Sequence, residues 1–177
     1  RSSVRDGAFT RTARALGNAG YACQDCPSPA FEPASPMLEG ETMPKITGTP
    51  EDREQIRELY ARYAITIDNE RFEDWVQCFT PDGIFDSPVY GQFPGHAKLR
   101  EFTQGYQRSW EGGKVRHMMV NVSFDIDGDT ATGFCNLIYF SLKGGKTELT
   151  AVGGYNDKLR KENGEWRFTY RRVHIDQ

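Results

Sequence analysis

The chain has 177 residues, 37% hydrophobic, 27% charged and 12% aromatic, with a formal net charge of −3 near neutral pH. That is the make-up of one globular domain able to bury a core without disulfides, so its four cysteines need not be bonded. No segment reaches the roughly 18 consecutive apolar residues of a membrane span. Mild acidity and scattered Lys and Arg argue against nucleic acid as the main partner, because duplex binding draws on clustered basic residues at phosphates.

Pro27, Pro29, Pro33, Pro36, Pro44 and Pro50 crowd the start of the chain, where no apolar period of 2 or 3.6 is sustained. Residues 1–48 therefore read as a disordered or loosely attached tail, and residues 49–177 as the domain. Arg1, Arg5, Arg11 and Arg14 against the single acid Asp6 share the bias of organellar transit peptides. The plainer expectation is a cropped or upstream-extended reading frame, with Met37 or Met43 as the natural start. No secretory signal pattern is present, and the expected location is cytoplasmic. Cys23 and Cys26 form a CxxC, half of a typical zinc site, with no strand and helix following to make a redox motif.

Thr49-Pro50-Glu51-Asp52 supplies a capping hydroxyl, a proline at the first helical position and two acids favoured by the helix dipole. Ile56, Leu59, Tyr60, Tyr63, Ala64 and Ile67 then recur at spacings of three and four, which predicts an amphipathic helix ending near Asp68. Phe72, Trp75, Val76 and Phe79 continue the rhythm in a second, short helix, stopped by a type I turn at Thr80-Pro81-Asp82-Gly83. Gly83 to Ser87 suits a short strand that Pro88 keeps brief, and Leu99, Phe102, Tyr106 and Trp110 predict a third helix.

From Val115 the pattern changes to strands. Met118, Val120, Val122, Phe124 and Ile126 alternate with His117, Met119, Asn121 and Ser123, which predicts one strand with two distinct faces. Asp127-Gly128, Gly144-Gly145 and Asn163-Gly164 are hairpin signals that divide the remainder into four consecutive antiparallel strands. Helices first and a strand meander second make an α+β domain whose curved sheet covers its apolar face with the helices.

Metal chemistry finds little support. Asp125, Asp127 and Asp129 imitate a calcium loop, but Gly128 is misplaced and Asn136 stands where the closing Glu belongs. His96, His117 and His174 lack close spacing, and Cys78 and Cys135 fall on apolar segments as small hydrophobes. What remains is a set of titratable residues on otherwise apolar elements. Asp68 lies at the edge of the first helix's apolar stripe, as a cap or as a half-buried acid facing a cavity. Tyr63 belongs to that stripe and serves equally as core. His117 opens a strand on a face of mixed polarity that suits a pocket lining. Arg171 lies in the last strand, where a solvated edge would explain it as well.

At these residues the sequence resembles the SnoaL-like branch of the nuclear transport factor 2-like superfamily, which includes scytalone dehydratase, hexachlorocyclohexane dehydrochlorinase, bile acid 7α-dehydratase and ketosteroid isomerase. The resemblance runs from Glu51 to Asp176 through Ile56-Arg-Glu-Leu59-Tyr60, Tyr63, Ile67-Asp68, Phe72-Glu-Asp-Trp75, Phe79-Thr-Pro-Asp-Gly83, Arg116-His117 and Gly164-Glu-Trp166-Arg-Phe168. It implies a cone-shaped α+β barrel around one hydrophobic pocket. It also implies a pairing of Asp68 with His117, and roles for Tyr63 and Arg171, with Arg172 one register away. The additional histidine of scytalone dehydratase has no match between Thr130 and Leu142, so scytalone is a poor substrate guess.

The function these residues imply is that of a cofactor-independent lyase (a dehydratase), or an isomerase acting through the same enolate, on an apolar ring-bearing small molecule. His117 is the expected acid–base group, oriented by Asp68; Tyr63 donates to the leaving oxygen or enolate, and Arg171 holds an anionic part of the substrate or orients Asp68. No cofactor or metal is called for. Two rivals stand beside this: a non-catalytic scaffold like a ring-hydroxylating dioxygenase β subunit, and a module that binds a small molecule without changing it. A homodimer is also expected, burying the row from Met118 to Ile126 sheet against sheet, unless that row faces the barrel interior or a bulge shifts it partway.

Overall fold

A computed structural model describes residues 46–176. All but the last three residues of the expected tail, with its arginines and the Cys23–Cys26 pair, lie outside the described residues. Thr47 is already tied to the domain: its hydroxyl accepts the Ile126 amide at 2.8 Å, and its carbonyl accepts from Arg53 at 2.9 Å.

Helix α1 spans Pro50–Asp68, with Thr49 capping it by accepting the Asp52 amide at 3.1 Å. The Asp52 carboxylate accepts from Lys161 (2.8 Å), Thr49 (2.6 Å) and the Trp166 indole (2.9 Å), stitching the helix start to the last hairpin. These hydrogen bonds, that of Lys161 foremost, hold the Asp52 carboxyl well below the usual carboxylate range. Ile56, Leu59, Tyr60, Tyr63 and Ile67 bury the predicted stripe. Immediately past Asp68 the chain leaves the helix through Asn69 (φ −110°) and Glu70 (φ 61°).

Helix α2 (Phe72–Val76) is shorter than its apolar rhythm suggests, and Phe79 belongs to strand β1 (Phe79–Ser87). The turn expected at Thr80–Gly83 is instead a bulge within that strand. Phe79 pairs with Phe168 and Ile84 with Tyr170, so the residues between outrun their partners. Pro81 is tolerated because it falls where no ladder bond is required. Gly83 is needed there because a Cβ would come within 2.8 Å of the Phe168 carbonyl. Strand β2 (Gly91–Pro94), absent from the sequence expectations, forms a hairpin with β1 and leads into α3 (Gly95–Ser109).

Strands β3 (Lys114–Asp127), β4 (Thr130–Lys143), β5 (Lys146–Glu162) and β6 (Glu165–Ile175) form the predicted antiparallel meander. The six-stranded sheet has the order β2-β1-β6-β5-β4-β3, with β1 parallel to β6. It curls around α1, α2 and α3, an α+β architecture whose core includes Trp75, Phe79, Leu99, Trp166 and Phe168.

One sequence expectation needs correcting. Met118, Val120, Val122, Phe124 and Ile126 do not share a face, because β3 carries a bulge between Val120 and Ser123. Asn121 sits at its centre with φ 55°, a left-handed conformation that asparagine tolerates. Before the bulge Met118 and Val120 are exposed; after it Phe124 and Ile126 are buried against the helices. No helix among the described residues is long and apolar enough to cross a membrane.

Candidate active site

Between the curled sheet and helices α1 and α3 lies a cavity of about 250 Å³. Its walls are apolar at Ile67, Phe85, Phe102, Leu137 and Val173, and Tyr63, Tyr90, Tyr106, Tyr139 and Tyr155 also border it. It exceeds the roughly 150 Å³ space that takes up one benzene, so it suits a ligand of one or two rings.

His117 is the imidazole in this wall, and Asp68 stands behind it. The Asp68 Oδ1 lies 2.6 Å from Nδ1 of His117, while Oδ2 accepts the His117 backbone amide at 2.9 Å. Both side chains are almost out of solvent, 7% exposed for His117 and 6% for Asp68. One carboxylate thus grips both the backbone and the ring of the same residue. An acceptor at Nδ1 selects the tautomer with its proton there, leaving the Nε2 lone pair toward the cavity. The local fold makes this contact possible because α1 ends at Asp68, and Arg116 donates to the Asp68 carbonyl at 3.3 Å.

Tyr63, five residues earlier, borders the same cavity from its floor, packed against Trp75, Phe79, Tyr155 and Phe168. Burial pushes its phenol above the ordinary value, partly offset by the guanidinium of Arg171. Tyr63 and His117 therefore line one cavity, with Asp68 bound to the imidazole.

Arg171 does not join them in the way the sequence reading expects. Its side chain is fully buried behind the cavity, and its ion-pair partner is Asp157, not Asp68: Nε lies 3.1 Å from Oδ1 and Nη2 3.2 Å from Oδ2. The two residues face each other across β5 and β6, so the register itself makes the pair. The guanidinium is enclosed by rings, with centroids 4.1 Å away for Tyr63, 4.0 Å for Tyr155, 4.3 Å for Phe168 and 5.0 Å for Tyr60. Tyr60 adds a 2.6 Å hydrogen bond to Asp157. Burial pushes the Asp157 carboxyl up against the pull of Arg171. Arg172 points the other way, exposed and 3.5 Å from Asp86, which settles which arginine turns inward.

Sequence reasoning missed Tyr139 and assigned Tyr106 only to a helix. The Tyr106 hydroxyl lies 3.4 Å from Nε2 of His117 and 2.9 Å from the Tyr139 hydroxyl. Asp157 was also missed; counted from the Asn163-Gly164 turn, Asn156 would stand opposite Arg171, and only the register shift between Lys158 and Leu159 brings Asp157 there. Cys78 and Cys135 are buried and unbonded, with burial raising both thiols to about 11.

Residues 49–172 match the family model of the SnoaL-like domain. The chain belongs to the SnoaL-like family. Uncharacterized proteins of Mycobacterium tuberculosis and Mycobacterium bovis are similar, 29% identical over 125 residues, covering 68% of this chain and 82% of theirs. Among solved structures, a Mycobacterium tuberculosis protein of unknown function is similar with 32% identity and a TM-score of 0.65, covering 71% of this chain and 76% of that one. An NTF2-like protein with a cystatin-like fold from Novosphingobium aromaticivorans is similar with 26% identity and a TM-score of 0.64, covering 71% and 82%. The SnoaL-like superfamily includes enzymes.

Proposed function

We propose that this SnoaL-like protein is a cofactor-independent dehydratase, or an isomerase working through the same enolate, acting on an apolar ring-bearing small molecule. The observation that carries the proposal is the 2.6 Å contact between Asp68 and Nδ1 of His117 at the wall of an apolar cavity. Removing a proton next to a carbonyl near neutral pH calls for a base that titrates there, which imidazole does intrinsically.

In this mechanism Nε2 of His117 takes the proton from the carbon beside the carbonyl, and the electron pair of that bond moves into the enolate. Asp68 stabilises the imidazolium so formed. Collapse of the enolate expels a hydroxide that receives the proton back from Nε2, a net loss of water. Return of the proton to a different carbon instead gives an isomer. Tyr63 closes the cavity floor, and Arg171, paired to Asp157, holds the rings of that floor in place without touching substrate.

Turnover of an identified substrate by His117→Ala and Asp68→Asn tests this. Losses of roughly 10²- to 10⁴-fold are expected, the usual contribution of a positioned acid–base group. Activity within about threefold of wild type, or unaltered ligand after long incubation with wild type, overturns the catalytic role and leaves a binding module.

A further inference from the structure

Nε2 of His117 has a neighbour that the acid–base scheme leaves unused. Tyr106 reaches it from α3, 3.4 Å away, and Tyr139 holds the Tyr106 hydroxyl from β4 at 2.9 Å. Tyr139 stands directly opposite His117 in the sheet register, and the two rings lie 4.9 Å apart. The four side chains form one line of contacts, Asp68, His117, Tyr106, Tyr139, ending at the cavity.

The protons in this line can be counted. Nδ1 gives its hydrogen to Asp68, so neutral His117 offers only a lone pair at Nε2. Tyr106 and Tyr139 carry one hydrogen each, and one of the two is spent on the contact between them. A single O–H is therefore left, for Nε2 or for a ligand. The 3.4 Å separation is long for a hydrogen bond from the Tyr106 hydroxyl to Nε2, so that proton is only loosely held there. Burial raises the Tyr139 phenol to about 12 and holds the Tyr106 phenol well above its ordinary value, so both remain donors near neutral pH.

We propose that the Tyr106–Tyr139 hydroxyl pair is the subsite for the carbonyl, enol or phenol oxygen of the ligand, with Tyr106 donating to it and Tyr139 as the positioning residue that holds Tyr106. This deepens the proposed function and rests on it for its catalytic meaning. When the ligand oxygen takes the Tyr106 proton, Nε2 is released as a free base beside the carbon next to that oxygen. Substrate entry and activation of the base then become one event, and negative charge developing on the oxygen meets a donor already aimed at it. The site would favour small cyclic ketones and phenols over hydrocarbons of the same shape.

Binding separates this from catalysis. The probes are 2-naphthol and naphthalene, which differ by the one oxygen, each titrated into wild type, Tyr106→Phe, Tyr139→Phe and His117→Ala, with a thermal melt for each variant. Wild type is expected to prefer the naphthol by roughly tenfold or more, the worth of one well-made hydrogen bond. Tyr106→Phe should bring the preference to within about threefold while leaving naphthalene binding unchanged, and Tyr139→Phe should reduce it partway. A purely packing role would shift both probes together, and that result overturns the proposal, as does a wild type without preference. His117→Ala should keep the preference while losing turnover. If wild type shows the preference but no turnover, the acid–base reading fails and the oxygen subsite stands.

Discussion

Replacing Asp68 by Asn changes one oxygen to an NH₂ group in a position where the carboxylate accepts two N–H groups, the His117 amide at 2.9 Å and Nδ1 at 2.6 Å. An amide has one oxygen for two donors. If that oxygen stays on the backbone amide, its NH₂ faces Nδ1, which must then become the acceptor, and the imidazole hydrogen moves to Nε2. If it stays on Nδ1, two N–H groups oppose each other in a place with almost no solvent. A buried donor without a partner costs about 1–3 kcal/mol, more than a tautomer change of neutral imidazole, so the first arrangement wins. Asp68→Asn should therefore fold with a modest loss of stability and carry its histidine hydrogen on the wrong nitrogen. Nitrogen-15 NMR of the imidazole, with the His117 signals assigned by their absence in His117→Ala, reads this without a substrate. The neutral ring should be Nδ1–H in wild type and Nε2–H in the variant, with turnover reduced roughly 10²- to 10⁴-fold. A wild-type ring that is mainly Nε2–H when neutral would refute the orientation argument whatever the activity.

Arg171→Met should cost about 3–5 kcal/mol by leaving the Asp157 carboxylate buried and unpaired, and the double variant Arg171→Met/Asp157→Leu should recover much of that in denaturant unfolding; an Arg171→Met protein of wild-type stability would return the residue to a purely functional role. Asp52→Ala should cost about 1–3 kcal/mol near neutral pH, because the Trp166 indole loses its acceptor. The Asp52 carboxyl is held below its unfolded value, by Lys161 foremost, so the ionic part of its contribution is present above about pH 4 and lost as the pH falls further; the gap between wild type and variant should narrow on acidification, and a gap independent of pH would count against it. We also propose a homodimer over a smaller patch than the sequence suggests, the outward row in which Met118 pairs with Ile138 and Ile138 with Val152. Light scattering at micromolar concentration should give twice the chain mass and Val152→Asp the monomer; a monomeric wild type refutes it.

Helix α1 and the meander were legible because local signals agree with the tertiary result. Thr49-Pro50 starts the helix, apolar spacing orients it, and three glycine turns cut the strands. The parallel pairing of β1 with β6 was not, because it joins the two ends of the domain and nothing within either strand names its distant partner. Proline and glycine in Thr80–Gly83 predict a type I turn that ends a helix, but the same residues can bulge a strand, as they do within β1. Asp68 and His117 were found through a resemblance; periodicity alone placed Asp68 at the edge of a stripe and left its partner unnamed.

The bulge at Asn121 links the part that was missed to the chemistry. Counted back from the Asp127-Gly128 turn without it, His117 would stand opposite Phe140, and the row from Met118 to Ile126 would keep one face. The extra residue moves His117 opposite Tyr139 instead. It turns His117 and Met119 inward on one side of the bulge, and Phe124 and Ile126 inward on the other. A single strand thereby presents an imidazole to the cavity at one end and an apolar seal to helix α1 at the other. A regular strand, with its period of two, cannot do both from this sequence. Asn121, an exposed residue outside the cavity lining, is in this sense the position on which the site geometry depends, because it lets the backbone take a left-handed step where a β-branched neighbour would resist it.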